Sequence, residues 1–207
     1  MGTVSVVSRF STSVSLFASL VVALIAWPSL QKAYHMDHLL SQTDSRAVAA
    51  NWIAGHLPEG SRIFQSGTDW AQIELAPSRR TLESRIRQAK AEGKKGCRLK
   101  IRLDNTTQGQ GYHLIAFDPD QPVWEHESRP EYAVLHETPL FVYSPVPEQL
   151  TEWLTTHYAP IQQIQGVGLG KPEWYDQIDA QFLPFSDYAH AQRPGPNITI
   201  YRRRDID

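Results

Sequence analysis

From Phe10 to Gln31 the chain runs for 22 residues without a charge, bounded by its first two cations, Arg9 and Lys32. At about 1.5 Å rise per residue, a helix of that length reaches roughly 33 Å, enough to cross a hydrocarbon core. The apolar centre is Val14 to Trp27, and Trp27 and Tyr34 fall where an interfacial aromatic belt would lie. A soluble amphipathic helix needs a polar face, and Leu20 to Trp27 offers none. A cleaved signal peptide fits less well, because only Arg9 precedes the apolar run and Trp27 and Pro28 follow Ala26 directly. The mean hydropathy of −0.39 excludes a polytopic protein but leaves room for one span. The expected organisation is a segment at 1–31 with a single transmembrane helix, a juxtamembrane linker at 32–43 and a folded domain at 44–207. Arg9 lies before the span and Lys32 and Arg46 after it, so the cation balance does not orient the chain.

The polar part is long enough for a real core, and its single cysteine excludes a disulfide framework or a multi-cysteine metal site. Asp44 is a good helix N-cap, and Ala47, Val48, Trp52 and Ile53 follow at helical spacing until the Pro58–Glu59–Gly60 turn. Arg62 to Gln65 reads as a short strand, Thr81 to Glu92 as a helix, and Tyr112 to Phe117 and Glu131 to Leu135 as strands. Tyr132 to Leu135 is apolar enough for a central position. Pro147 to Tyr158 reads as a helix with Leu150, Trp153, Leu154 and Tyr158 inward; Ile161 to Gln165 and Asn197 to Arg202 are the last strands. Cys97 to Leu103 alternates: Cys97, Leu99, Ile101 and Leu103 on one side, Arg98, Lys100 and Arg102 on the other. That pattern predicts a half-buried strand with a basic outer row and makes Cys97 a small core hydrophobe. Helices interleaved with strands imply a small layered α/β domain with a mixed sheet and flanking helices.

Catalytic signatures are missing. The chain has no nucleophile elbow, P-loop or His-Glu-x-x-His helix. Gly166, Gly168 and Gly170 follow a strand, but Pro172 is badly placed for the helix a phosphate-cradling turn should open, so they read as a loop. His35, His38, His126 and His136 lack a second ligand at metal spacing. Asp118, Asp120, Glu125 and Glu127 read as a solvated, Pro-rich turn. No catalytic, cofactor or metal-binding residue is assigned. The outstanding feature is electrostatic. Residues 79–102 hold ten cations and two anions, a net +8, so in a chain of net −2 the remainder is −10. The basic strand face, Arg98, Lys100 and Arg102, is the candidate anion contact, with membrane lipid headgroups or a polyprenyl phosphate as its natural partner. Nucleic acid is not expected, because the rest of the domain would repel it.

The order of segments carries a further signal. A hydrophobic stretch is followed by "DSRAVAANWIAGHLPEGSRIF", later "EYAVLHE", and finally "GPNITIYRR". This resembles the C-terminal end of polytopic GT-C glycosyltransferases, the group using dolichyl- or undecaprenyl-phosphate sugars and including the aminoarabinose-transferase-like enzymes. The matching residues are Asp44, Arg46, Trp52, Pro58 and Gly60, then Gly195, Pro196, Ile198, Ile200 and Tyr201. The resemblance implies a last transmembrane helix leading into a periplasmic or exoplasmic α/β domain. It also implies a chain that is inactive alone, because the family's catalytic acid lies in an early loop with no counterpart here. The expected role is therefore accessory to sugar transfer, beside a polytopic membrane subunit. The alternative is a stand-alone anchored module that binds anionic lipid or a partner protein through the basic face.

Overall fold

The computed structural model describes residues 4–205 apart from 69, 108, 119–128, 141, 145, 169–173, 177–181 and 187, with residues 4–16 described through their backbone alone. It divides into two compact units, Met1–Ser41 and Gln42–Asp207. The first unit is one 37-residue helix, α1 (Val4–Leu40), with Pro28 inside it. Helix continues through most of the 32–43 stretch expected to be a linker, and the change of unit comes at Ser41. From Phe17 onward α1 leaves Leu20, Val22, Leu24, Ile25, Trp27 and Leu30 exposed. Among the described residues no helix is both long and apolar enough to cross a membrane. The side chains of 4–16 lie outside that description, and with them the first part of the uncharged 10–31 stretch.

In the second unit the chain order is α2 (Ser45–His56), β1 (Arg62–Gln65), α3 (Arg79–Ala91), α4 (Cys97–Asn105), β2 (His113–Ala116), β3 (Tyr132–Glu137), α5 (Glu148–His157), β4 (Tyr158–Ile164) and β5 (Asn197–Arg203). The sheet order is β2-β1-β3-β5-β4. β1 pairs in parallel with β2 and β3, while β5 runs antiparallel to β3 and β4. The fold is thus α/β with a mixed five-stranded sheet, as expected, and β3 is its central strand.

Strand alternation sends successive side chains to opposite faces and so builds two cores. On one face Ile63, Val134, Ile198 and Ile200 receive Ala49 and Ile53 of α2. On the other, Phe64, Ala133 and Leu135 receive Leu150, Trp153 and Leu154 of α5, with Tyr158 fully buried beside them. Each fully buried Leu or Ile contributes about 1.5–3 kcal/mol relative to exposure.

One element differs in kind. Cys97–Leu103 is not a strand; it belongs to helix α4, which has no buried residue. The run is rich in Leu, Lys and Arg, which favour helix. Its Leu99 and Leu103 recur at i,i+4, so they share a helical face as readily as a strand face. They are half-buried in the α3–α4 hairpin, while Ile101 is 62% exposed. Cys97 is also exposed, its Sγ donating to the Lys95 carbonyl, so it is no core hydrophobe. At α3 the start shifts to Ser78, whose Oγ accepts from the Thr81 N–H at 3.4 Å as N-cap.

α2 is held at its N-terminus by the turn before β5. Asp44 is the N-cap, accepting from the Arg46 N–H at 2.8 Å. The Ser45 N–H donates to the Pro194 carbonyl at 2.8 Å and its buried Oγ to the Pro196 carbonyl at 2.7 Å. Gly195 between them has φ +97°, and a Cβ there would sit 2.6 Å from Asp44 Oδ1 and closer still to Ser45 Oγ. Gly166 packs by the same lack of a side chain against Gly195 and Pro196 backbone. Gly166 and Gly168, in the loop after β4, therefore serve close packing, the second against His190. Gly60→Ala, at φ +86° with open space around it, should cost about 1–2 kcal/mol from backbone strain alone. Gly195→Ala should cost at least about 2 kcal/mol more, through the added clash. Denaturant unfolding of the two full-length variants against the parent checks this difference.

Candidate functional site

The helix disperses the trio expected to form one basic face. At about 100° per residue, Arg98 and Arg102 lie near one side of α4 and Lys100 lies away from them. All three are exposed. Of the three, only Arg102 lines the large cleft of the domain, and Ile101 between Lys100 and Arg102 in sequence is exposed.

The cleft encloses about 1080 Å³. One wall is α2, through Asp44, Arg46, Ala47, Ala50 and Asn51. The other is the α3–α4 hairpin, through Arg85, Gln88, Ala89, Glu92, Lys94, Leu99 and Arg102. Gln65 and Ala116 reach it from the carboxyl-terminal ends of the parallel strands β1 and β2, where α/β sheets commonly bind ligands, and Leu114 from earlier in β2. Trp70, Gln72, Ile73, Glu74, Leu75 and Pro77, on the segment after β1, complete the lining.

That segment is irregular but firmly held. Gln65 is 2% exposed and makes a paired contact with Ile73: its Nε2 donates to the Ile73 carbonyl at 3.1 Å, and its Oε1 accepts from the Ile73 N–H at 2.8 Å. Gln72 Nε2 donates to the Gly67 carbonyl at 2.9 Å, and the Thr68 N–H to the Tyr143 carbonyl at 2.8 Å. Arg46 Nη1 donates to the Trp70 carbonyl at 2.6 Å. Trp70 itself projects into solvent, 65% exposed.

The charges of the lining divide into spent and unspent. Arg46 is spent: Nε and Nη2 grip the Asp44 carboxylate at 2.9 and 2.6 Å, and its guanidinium stacks 5.2 Å over Phe182. Lys94 pairs with Glu92 at 2.7 Å. Their mutual hydrogen bond and charge lower the Glu92 pKa and raise that of Lys94. Among the described residues, Arg85, Arg102 and Glu74 have no ion-pair partner.

A buried polar group sits behind β1. Ser66 Oγ accepts from the His136 backbone N–H at 2.8 Å and lies 3.3 Å from His136 Nδ1, while Ser144 Oγ donates to the His136 carbonyl. Ser66 and His136 are both fully buried, so this Ser–His pair meets no substrate and is not a nucleophile with its base. His136 Nε2 has no partner among the described residues. Burial, with a smaller push from the Arg46 charge and against the Ser66 hydrogen bond, holds its pKa down at about 3. The remaining histidine and acidic positions assemble nothing: no group of metal-ligating residues occurs among the described residues. Asp118 is exposed, and Asp120, Glu125, His126 and Glu127 lie outside them.

No protein-family model, curated protein or solved structure matches this chain.

The sequence locates the basic window, Arg85 included, but singles out Arg98, Lys100 and Arg102 within it and gives no place to Trp70 or Glu74. Trp70 stands in a short polar loop, Ser66 to Ala71, where an apolar ring has no periodic pattern to join; that isolation was its only signal.

The His136 environment carries a pH consequence. Folded His136 stays neutral down to about pH 3, whereas an unfolded histidine takes up its proton near pH 6.5. The unfolded state therefore binds more protons between those values, and stability falls as pH drops through that window. From pH 7 to pH 5 this group should remove about 2 kcal/mol. Denaturant titrations at the two pH values should show that loss, and His136→Asn should shrink it.

Proposed function

We propose that this chain is a membrane-anchored, exoplasmic α/β domain that assists lipid-linked sugar transfer carried out by a polytopic membrane enzyme, without catalysing transfer itself. The observation that carries the reading is the convergence of the family-like residues. Asp44 and Ser45 meet Gly195 and Pro196 across about 150 residues of chain, and Asp44 in turn holds Arg46. The two motifs thus form one structural unit, and Arg46 extends it to the rim of a cleft holding two unpaired arginines. The exposed apolar run of α1 from Phe17 to Leu30 supports an anchoring role for that helix. The exposed cleft charges without ion-pair partners, Arg85, Arg102 and Glu74, offer binding chemistry.

A second reading has its own observation. Arg98 and Lys100 lie within three residues of the solvent-exposed Ile101 on a helix with no fully buried residue, the pattern of a short contact with an anionic lipid surface. The two readings use different residues. In the first, full-length chain added to membranes bearing the polytopic enzyme raises transfer from a polyprenyl-phosphate sugar at least about threefold, and the purified chain alone transfers none. In the second, Arg98→Ser with Lys100→Ser weakens association with phosphatidylglycerol vesicles, most at low salt, and transfer is unchanged by the chain. Sugar transfer by the purified chain alone overturns the accessory role.

A further inference from the structure

Outside α1, five large apolar side chains stand exposed among the described residues: Trp70, Ile101, Val142, Ile161 and Phe185. Isolated exposures of this kind are ordinary. Three of the five, however, belong to one place. Trp70 (65% exposed), Val142 (66%) and Phe185 (53%) sit on loops that share a small core of Ala71, Leu140, Val167, Tyr175 and Phe182. These loops are tied to one another. The Thr68 N–H and Oγ1 donate to the Tyr143 carbonyl at 2.8 and 3.1 Å. The Tyr143 ring meets Phe182 edge-on, with centroids 5.7 Å apart. The Phe185 N–H donates to the Trp174 carbonyl at 2.9 Å. Arg46 closes the circle, with Nη1 on the Trp70 carbonyl and its guanidinium over Phe182. Apolar tips on braced loops need little further ordering to enter an apolar medium.

The same end of the domain receives the chain from α1. Arg46 belongs to the first turn of α2, and only residues 41–44 separate α2 from Leu40, the last residue of α1. Fully extended, that tether reaches at most about 18 Å. It is thus attached at the end of the domain that carries the three tips.

We propose that the Trp70, Val142 and Phe185 loops form a lipid-contact surface that sets this end of the domain into the headgroup–acyl boundary of a bilayer. The proposal rests on the anchoring role given to α1 above: a bilayer that takes up the exposed apolar run of that helix meets the domain through the short tether. The side chains suit that zone, because indole and phenyl bodies enter the acyl boundary while the indole N–H stays among the headgroups. Arg46 brings no net charge with it, since the Asp44 carboxylate lies 2.6 Å away. The attraction is apolar, so zwitterionic lipid suffices, unlike a contact made through Arg98 and Lys100.

Spin labels on single cysteines test it, in the full chain carrying Cys97→Ser and held in phosphatidylcholine nanodiscs. Labels enter one at a time through Trp70→Cys, Val142→Cys and Phe185→Cys, with Ile101→Cys as the exposed reference and Leu24→Cys within α1. The ratio of collisions with oxygen to collisions with a water-soluble nickel chelate should be at least about threefold higher at the three tips than at position 101, as for side chains at the acyl boundary. With Trp70→Ser and Phe185→Ser together, the label at position 142 should fall to the value at 101. Unchanged circular dichroism shows that each variant is folded. Tips as open to water as position 101, with position 24 in lipid, overturn the surface and leave the anchor standing. Water at position 24 with lipid at the tips does the reverse. A label at position 142 that stays in lipid in the double serine variant overturns the joint surface. Dipolar broadening between tip labels, with low collision rates for both reagents, assigns a second copy of the chain and overturns the lipid assignment.

Discussion

The packing of the α2 N-terminus on the turn before β5 is the contact on which the rest of the domain depends. It joins residues about 150 positions apart, so its loop-closure cost is substantial and must be met by dense local interactions. Those interactions are specific: a carboxylate cap, a buried serine bonded on both its donors, and a glycine whose missing Cβ lets Asp44 and Ser45 approach. Once α2 is placed, its Ala49 and Ile53 close one core over β1, β3 and β5. Its first turn also aims Arg46 outward over Phe182 and onto the Trp70 carbonyl. One structural contact therefore fixes both a core and one wall of the cleft.

The electrostatics follow a related division. Cations that shape the fold are engaged: Arg46 by Asp44, Lys94 by Glu92, Arg79 by Glu83. The exposed pairs among these are screened by water, contribute little and do not explain why the hairpin is so basic. Among the described residues, cations without an ion-pair partner are spread along the hairpin: Arg85 and Arg102 line the cleft, while Arg80, Arg87, Lys90, Lys95, Arg98 and Lys100 do not. The net +8 of residues 79–102 is thus no uniform patch, because the hairpin turns part of it inward and part of it outward.

Much of the fold was legible in the sequence because its strands are short, apolar and bounded by turn residues. Arg62–Gln65 and the core positions Leu150, Trp153 and Leu154 could be read directly from period and burial logic. Cys97–Leu103 could not, because apolar residues spaced at i, i+2, i+4 and i+6 satisfy a strand while its i,i+4 pairs also satisfy a helix. Whether a neighbouring strand accepts it is decided by tertiary structure, and here α3 accepts it as a helix. The same ambiguity hid the site. Arg98, Lys100 and Arg102 share a face only if the segment is extended, and Arg85 joins Arg102 only because the hairpin folds back over β2. His136 is apolar by environment and not by type, so no periodicity reveals that it is fully buried.

The central claim is that the cleft is preformed, its floor and wall held by the Ser45 and Gln65 contacts before any ligand arrives. Native-state hydrogen exchange on the full chain tests it at single amides. The Ser45 N–H, bonded to the Pro194 carbonyl, and the Ile73 N–H, bonded to Gln65 Oε1, should exchange as slowly as the Ile200 amide in β5, through the same global opening. Exchange at either site at the rate of an exposed loop, orders of magnitude faster, would show a cleft assembled only on binding and would contradict the account.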